Sequence, residues 1–133
     1  MKNEQLYTNP FAVINAYMEA WSYQHYSQMY KLVNKAWAST HELDYLWNLY
    51  SDMIIDDYEI ITQPSLPEQA MVQIQIRIKF NGQWMQPALV NLVCETEAYK
   101  PSLHGNWGVN PTSTLKLIQR LKTRAERRNE EHK

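Results

Sequence analysis

Asp56, Asp57 and Glu59 make the densest run of acidic side chains in the chain. Adjacent residues of a strand point to opposite faces, so at most one of Asp56 and Asp57 can look into an interior. A carboxylate buried there, its pKa raised by desolvation, is the kind of group that serves as a general base. Charged side chains are seldom fully buried, and solvated acids on an edge strand are the plainer reading. Glu95 and Glu97 share a face, and with Cys94 inward both point away from the interior, toward solvent or a dimer partner. His104 falls in the loop Lys100-Pro-Ser-Leu-His-Gly105, where functional residues concentrate. Asp57 and His104 are therefore the two candidates for a catalytic base, though neither has a visible partner constellation. His25, His41 and His132 have no ligand-like neighbours, and no His-x-x-x-His or Cys-x-x-Cys occurs. Neither a metal site nor a cofactor is expected.

The aromatic residues carry the second kind of chemistry. The chain holds 5 Trp and 9 Tyr against 2 Phe, and Trp and Tyr join an apolar body to a polar tip. Tyr17, Trp21, Trp47, Tyr58 and Trp107 are the candidates to line a pocket for a small apolar ligand; core packing alone would also account for them.

The element that must position these groups is a long hairpin. From Val72 the apolar residues alternate (Val72, Ile74, Ile76, Ile78, Phe80) with Gln73, Gln75, Arg77 and Lys79 between them. That period marks a strand with one buried and one wet face. Asn81-Gly82 then supplies the two residues that a tight turn with positive φ requires. Continued without interruption, the register would put Val90, Leu92 and Cys94 on the wet face. Pro87 lies between the two regimes, so a bulge near Gln86 to Ala88 is predicted, flipping the alternation and bending the strand.

Ahead of the hairpin, Asn9-Pro10 starts a helix carrying Phe11, Ile14, Met18 and Trp21 at helical spacing. A break at Ser22 to His25 precedes a second helix over Tyr26 to Trp37, whose Met29, Leu32, Val33, Ala36 and Trp37 fit one face. Ser39-Thr-His-Glu42 fits a capping box for a third helix, with Leu43, Leu46, Trp47 and Tyr50 on one side. Asp52 to Thr62 reads as a strand, Asn106 to Asn110 as a short last strand, and Pro111 opens a C-terminal helix. The expected division is a lead over 1–8, one domain over 9–118 and a charged helical tail over 119–133.

This order of helices followed by a bent antiparallel sheet is an α+β arrangement. The sequence resembles the NTF2-like (cystatin-like cone) superfamily through Ala16-Tyr-Met-Glu-Ala-Trp21, the Tyr26 to Trp37 stretch and Gly105-Asn-Trp-Gly-Val-Asn-Pro111. The likeness covers roughly Pro10 to Leu115. It implies N-terminal helices packed on a strongly bent sheet, a cavity open at one end of the cone, and a homodimer formed through the sheet. His25-Tyr26 departs from it, standing where many relatives carry an acid, and the charged tail is an addition. Members include dehydratases, isomerases and non-enzymatic adaptors, so the fold leaves function open.

Net charge is −1, unevenly placed. Residues 120–133 hold 6 of the 13 Lys and Arg and 3 of the 14 acids, a surplus of +3, leaving −4 on residues 1–119. The body has no bulk attraction for nucleic acid, and the tail lacks the aromatic residues that stack on bases. No apolar run approaches the ~20 residues of a membrane helix, and no signal-type stretch follows the start. The expectation is a cytoplasmic, non-enzymatic module that binds a small apolar ligand or a protein partner. A cofactor-independent dehydratase or isomerase acting in the cone cavity is the alternative.

Overall fold

The computed structural model describes residues 7–115 and 117–123. It is an α+β fold in which helices pack against a strongly curled antiparallel sheet. Helix α1 (Pro10–Ser22) begins as the sequence implies: the Asn9 side chain accepts from Phe11 N–H at 2.9 Å, and Pro10 occupies the first turn. Its inward face carries Val13, Ile14, Tyr17, Met18 and Trp21, all fully buried. The chain reverses at Tyr23 to His25, with Gln24 at φ 60.

Two helix expectations are corrected. The single helix over Tyr26 to Trp37 is two short ones, α2 (Tyr26–Tyr30) and α3 (Lys35–Thr40). Between them the backbone leaves the helix to pair with the last strand: Val109 N–H donates to Leu32 O and Asn34 N–H to Val109 O, both at 2.8 Å. The capping box at Ser39 does not form. Ser39 lies in the last turn of α3, its hydroxyl donating back to Ala36 O, and the next helix, α4 (Leu43–Tyr50), starts after Glu42 with no side-chain cap.

The strands are β1 (Asp57–Ile60), β2 (Met71–Phe80), β3 (Gln83–Trp84), β4 (Ala88–Glu97), β5 (Lys100–Pro101) and β6 (Asn106–Val109). β1 is shorter than the predicted 52–62 span. The path β1-β2-β4-β5 forms the sheet, with β3 also on β2 and β6 also on β4. Asn81 and Gly82 take φ 51 and 78, the pair of positive values expected of the turn.

The bulge is present. Lys79 pairs with Trp84, but Ile76 pairs with Ala88 and Ile74 with Val90. Two residues of β2 thus oppose Met85, Gln86 and Pro87. The extra residue turns Val90, Leu92 and Cys94 inward beside Ile74, Ile76 and Ile78, all of them buried, and leaves Leu89 half-exposed outside.

α1 lies within the curl, touching β1, β6 and α2. The outer edge of β6 is closed by Leu32 to Asn34 and by Tyr7, whose carbonyl accepts from Trp107 N–H at 2.8 Å. Close backbone approaches, this one and that of β4, explain two glycines. A Cβ on Gly108 would stand 2.5 Å from Asn34 Cα, and one on Gly105 2.1 Å from the Glu95 carbonyl carbon. Asn110 caps a 3-10 turn (Pro111–Thr114), its side chain accepting from Thr112 N–H. Beyond it Leu117, Ile118 and Leu121 are buried in the same core. Among the described residues no helix is long and apolar enough to cross a membrane. The tail beyond residue 123 and most of the lead, residues 1–6, lie outside the described residues.

Candidate functional site

The inside of the curl holds aromatic rings, among which Tyr17, Trp21 and Tyr50 have their polar tips hydrogen-bonded. Tyr17 O–H donates to Tyr50 Oη at 2.7 Å, and Thr114 O–H donates to Pro111 O at 2.7 Å. With the Thr114 proton committed, Tyr50 must donate to Thr114 Oγ1, so the chain runs in one direction: Tyr17, Tyr50, Thr114, Pro111. Trp21 meets Tyr50 edge-on at 4.8 Å and donates its indole N–H to Met53 O at 2.8 Å. Burial raises both phenols. Tyr50 is pushed up to about 12, opposed by its hydrogen bonds with Thr114 and Tyr17. Tyr17 rises well above its usual value, with the Tyr50 charge and hydrogen bond adding to burial. At Tyr17 the donated bond adds to the rise, as expected of a group that gives its proton to a neighbour.

Of the five predicted pocket residues, Tyr17, Trp21 and Trp107 are thus core side chains. Trp47 is corrected more plainly: it is 51% exposed on the outside of α4, where only Leu46 and Tyr50 of the predicted face are buried. Tyr58 sits at the surface, its O–H donating to Asn15 Oδ1 at 2.8 Å. Its phenol is raised by partial burial and then by Glu19, Asp57 and Tyr23.

The acidic candidates lie outside as well. Asp56 accepts from Gly82 N–H at 2.7 Å and so pins the hairpin turn. Asp57 is exposed and accepts from the adjacent Tyr58 N–H. Glu59 accepts from Nε and a terminal nitrogen of Arg77, which also stacks over Trp84. His104 is exposed in the loop before β6, across the sheet from Asp57. The two catalytic candidates are not brought together.

Glu95 differs from the reading that put it on a solvent or dimer face. It does point away from the interior, but the start of α3 covers it, leaving 2% exposed. One oxygen accepts from Lys35 N–H (2.8 Å), Asn34 Nδ2 (3.1 Å) and Ala36 N–H (3.3 Å), the other from Tyr99 N–H (3.1 Å). A carboxylate so saturated is a structural clamp. Glu97 does stay at the surface, paired with Lys100. Cys94 is the buried hydrophobe expected, and burial, opposed by a bond from the Gly105 backbone, raises its thiol. Among the described residues no three His, Cys, Asp or Glu side chains are placed to hold a metal ion.

Open space lies along the helices. A groove of about 550 Å³ runs between α1 and α2, with Ala16, Ala20 and Leu32 at its base and Tyr7, Tyr23, His25, Glu19, Gln28 and Lys31 around it. Ala16 and Ala20 stand one turn apart on the same side of α1, and their small side chains leave the room. Beyond Glu19 and Tyr23 the surface dips again beside Asp56, Asp57 and Tyr58. Beyond Tyr7 and Lys31 it dips beside Lys35, Asn106 and Trp107. The sheet's outer side has a shallow depression of about 400 Å³ between Met71, Gln73 and Asn91. No protein-family model matches the chain, and no curated protein and no solved structure matches it either.

Proposed function

We propose that the chain is a non-enzymatic interaction module of the NTF2-like kind that forms a homodimer through the outer face of its sheet. The observation that carries this reading is the pair Met71 and Leu89, 60% and 50% exposed on that face. They flank Gln73, Gln75 and Asn91, which the register sets side by side: Gln73 opposite Asn91, Gln75 opposite Leu89. Two apolar residues framing neutral amides make a surface that a two-fold copy can cover without burying an unpaired charge. Arg77 and Glu59, already paired, supply a polar rim.

The alternative, a dehydratase or isomerase acting in the cone, is less well supported. Its base would be Asp57 or His104, both exposed, and the interior is occupied by Tyr17, Trp21 and Tyr50.

Native mass spectrometry and light scattering test the proposal. A dimer that Leu89→Lys together with Met71→Lys converts to folded monomer is the expected result. A monomer for the unaltered chain, or a dimer indifferent to both changes, overturns it.

A further inference from the structure

We infer that the groove between α1 and α2 binds a small elongated zwitterion: a flexible apolar chain with a primary amine at one end and a carboxylate at the other. The site lies outside the cone and is independent of the dimer surface.

The two ends of the groove have opposite character. At one end stand Glu19 and Tyr23, with Asp56 and Asp57 just beyond them. This is also the C-terminal end of α1, the negative end of its dipole, and no basic side chain lies in its last turn. Tyr23 is 67% exposed, and its ring, stacked near His25, offers a face to a cation. An ammonium group is therefore favoured there by charge, dipole and ring together.

At the other end Tyr7 is fixed by its hydroxyl donating to Lys31 O; Lys31 lines the groove there, and Lys35 lines the dip that adjoins it. A carboxylate suits that end. Among the described residues neither Glu19 nor Lys31 belongs to an ion pair, the pairs present being Arg77–Glu59 and Lys100–Glu97. Between the ends the base is apolar: Ala16, Ala20 and Leu32. From Ala16 to Tyr23 is seven helical steps, about 10 Å at the usual rise, which sets the length of the ligand. The volume lies within the usual range for small-molecule sites.

The probe is 8-aminooctanoate, with octanoate and octylamine as one-ended controls, titrated into the full-length, isotopically labelled chain and followed by amide NMR shifts. Saturable shifts are expected in 16–23 and 28–32. Glu19→Gln and Lys31→Met should each weaken the zwitterion by roughly tenfold. Octanoate should respond only to the second change and octylamine only to the first. Both side chains are exposed, and dispersed spectra will show that the variants fold. The absence of saturable shifts in the groove overturns the inference. So does binding that is unaltered in both variants, or equal affinity for all three probes.

Discussion

Raising the pH sets the two core phenols against the fold. Tyr17 and Tyr50 are fully buried, and both hold their protons above the ordinary value of 10.0, Tyr50 to about 12. Below pH 10 both the native and the unfolded chain keep these protons, and the pair makes stability independent of pH. Above it, the unfolded chain releases protons that the native state retains, so stability falls. Each phenol contributes a loss of about 1.4 kcal/mol per pH unit. The gap of two units at Tyr50 ends its share near a total of ~2.7 kcal/mol around pH 12. With Tyr17 ionising in the same window when unfolded, the slope approaches ~2.7 kcal/mol per unit. That is a large fraction of the ~5–15 kcal/mol that holds a typical domain together. The assay is urea unfolding at a series of alkaline pH values, read alongside tyrosinate absorbance. Partly exposed phenols such as Tyr26 and Tyr58 should ionise with the fold intact, and Tyr17 and Tyr50 only as it is lost. Tyr17→Phe should reduce the slope by about half. Reversible ionisation of all nine tyrosines with unchanged near-UV dichroism would refute the reasoning, as would a slope indifferent to Tyr17→Phe.

Three further outcomes are expected from urea titrations of single variants. Glu95→Ala strands three backbone N–H groups and the Asn34 amide, costing about 3–4 kcal/mol; Glu95→Gln, which turns an NH2 toward a donor, costs less but more than ~1 kcal/mol. Gly108→Ala and Gly105→Ala force backbone against backbone and should each cost at least ~2 kcal/mol, with amide exchange at Asn34 and Val109 speeding up in the former. Gly82→Ala meets nothing in space and loses only the ~1 kcal/mol of its φ of 78. Tyr50→Phe removes an acceptor for Tyr17 and a donor for Thr114, so it should cost about 2 kcal/mol against ~1 for Tyr17→Phe; the reverse order would contradict the direction assigned to the chain.

What the sequence disclosed was whatever is settled between near neighbours. The period-two run from Val72, the Asn81-Gly82 pair and the misplaced Pro87 together specify the hairpin and its bulge, because each acts through local backbone geometry. Asn9-Pro10 did the same for α1. The stretch from Tyr26 to Trp37 satisfies helical spacing throughout, yet the backbone of Leu32 to Asn34 is taken by Val109, a partner no local window contains. Ser39 and Glu42 have the capping-box spacing, but the turn they would open is already the end of α3. For Glu95 the alternation rule gave the correct direction and the wrong exposure, since α3 begins over it. The aromatic residues posed a different difficulty. Tyr and Trp line cavities and fill them equally well, so composition could not show that Tyr17, Trp21 and Tyr50 are fully buried. The α1–α2 groove had only a faint sign, Ala16 and Ala20 one turn apart on a helix otherwise rich in large side chains.

The closure of β6 bears on how the chain reaches this state. The outer hydrogen-bonding groups of Val109 and Trp107 are met by Leu32, Asn34 and Tyr7, far from them in the sequence. The hairpin of β2 and β4 joins near neighbours and can form early, whereas this seam joins segments far apart in the sequence and comes late. Until then β6 offers a bare edge to any other strand. The vulnerable species is therefore a nearly complete one, sheet formed and seam open, able to take the Leu32 to Asn34 segment of a neighbouring molecule in place of its own.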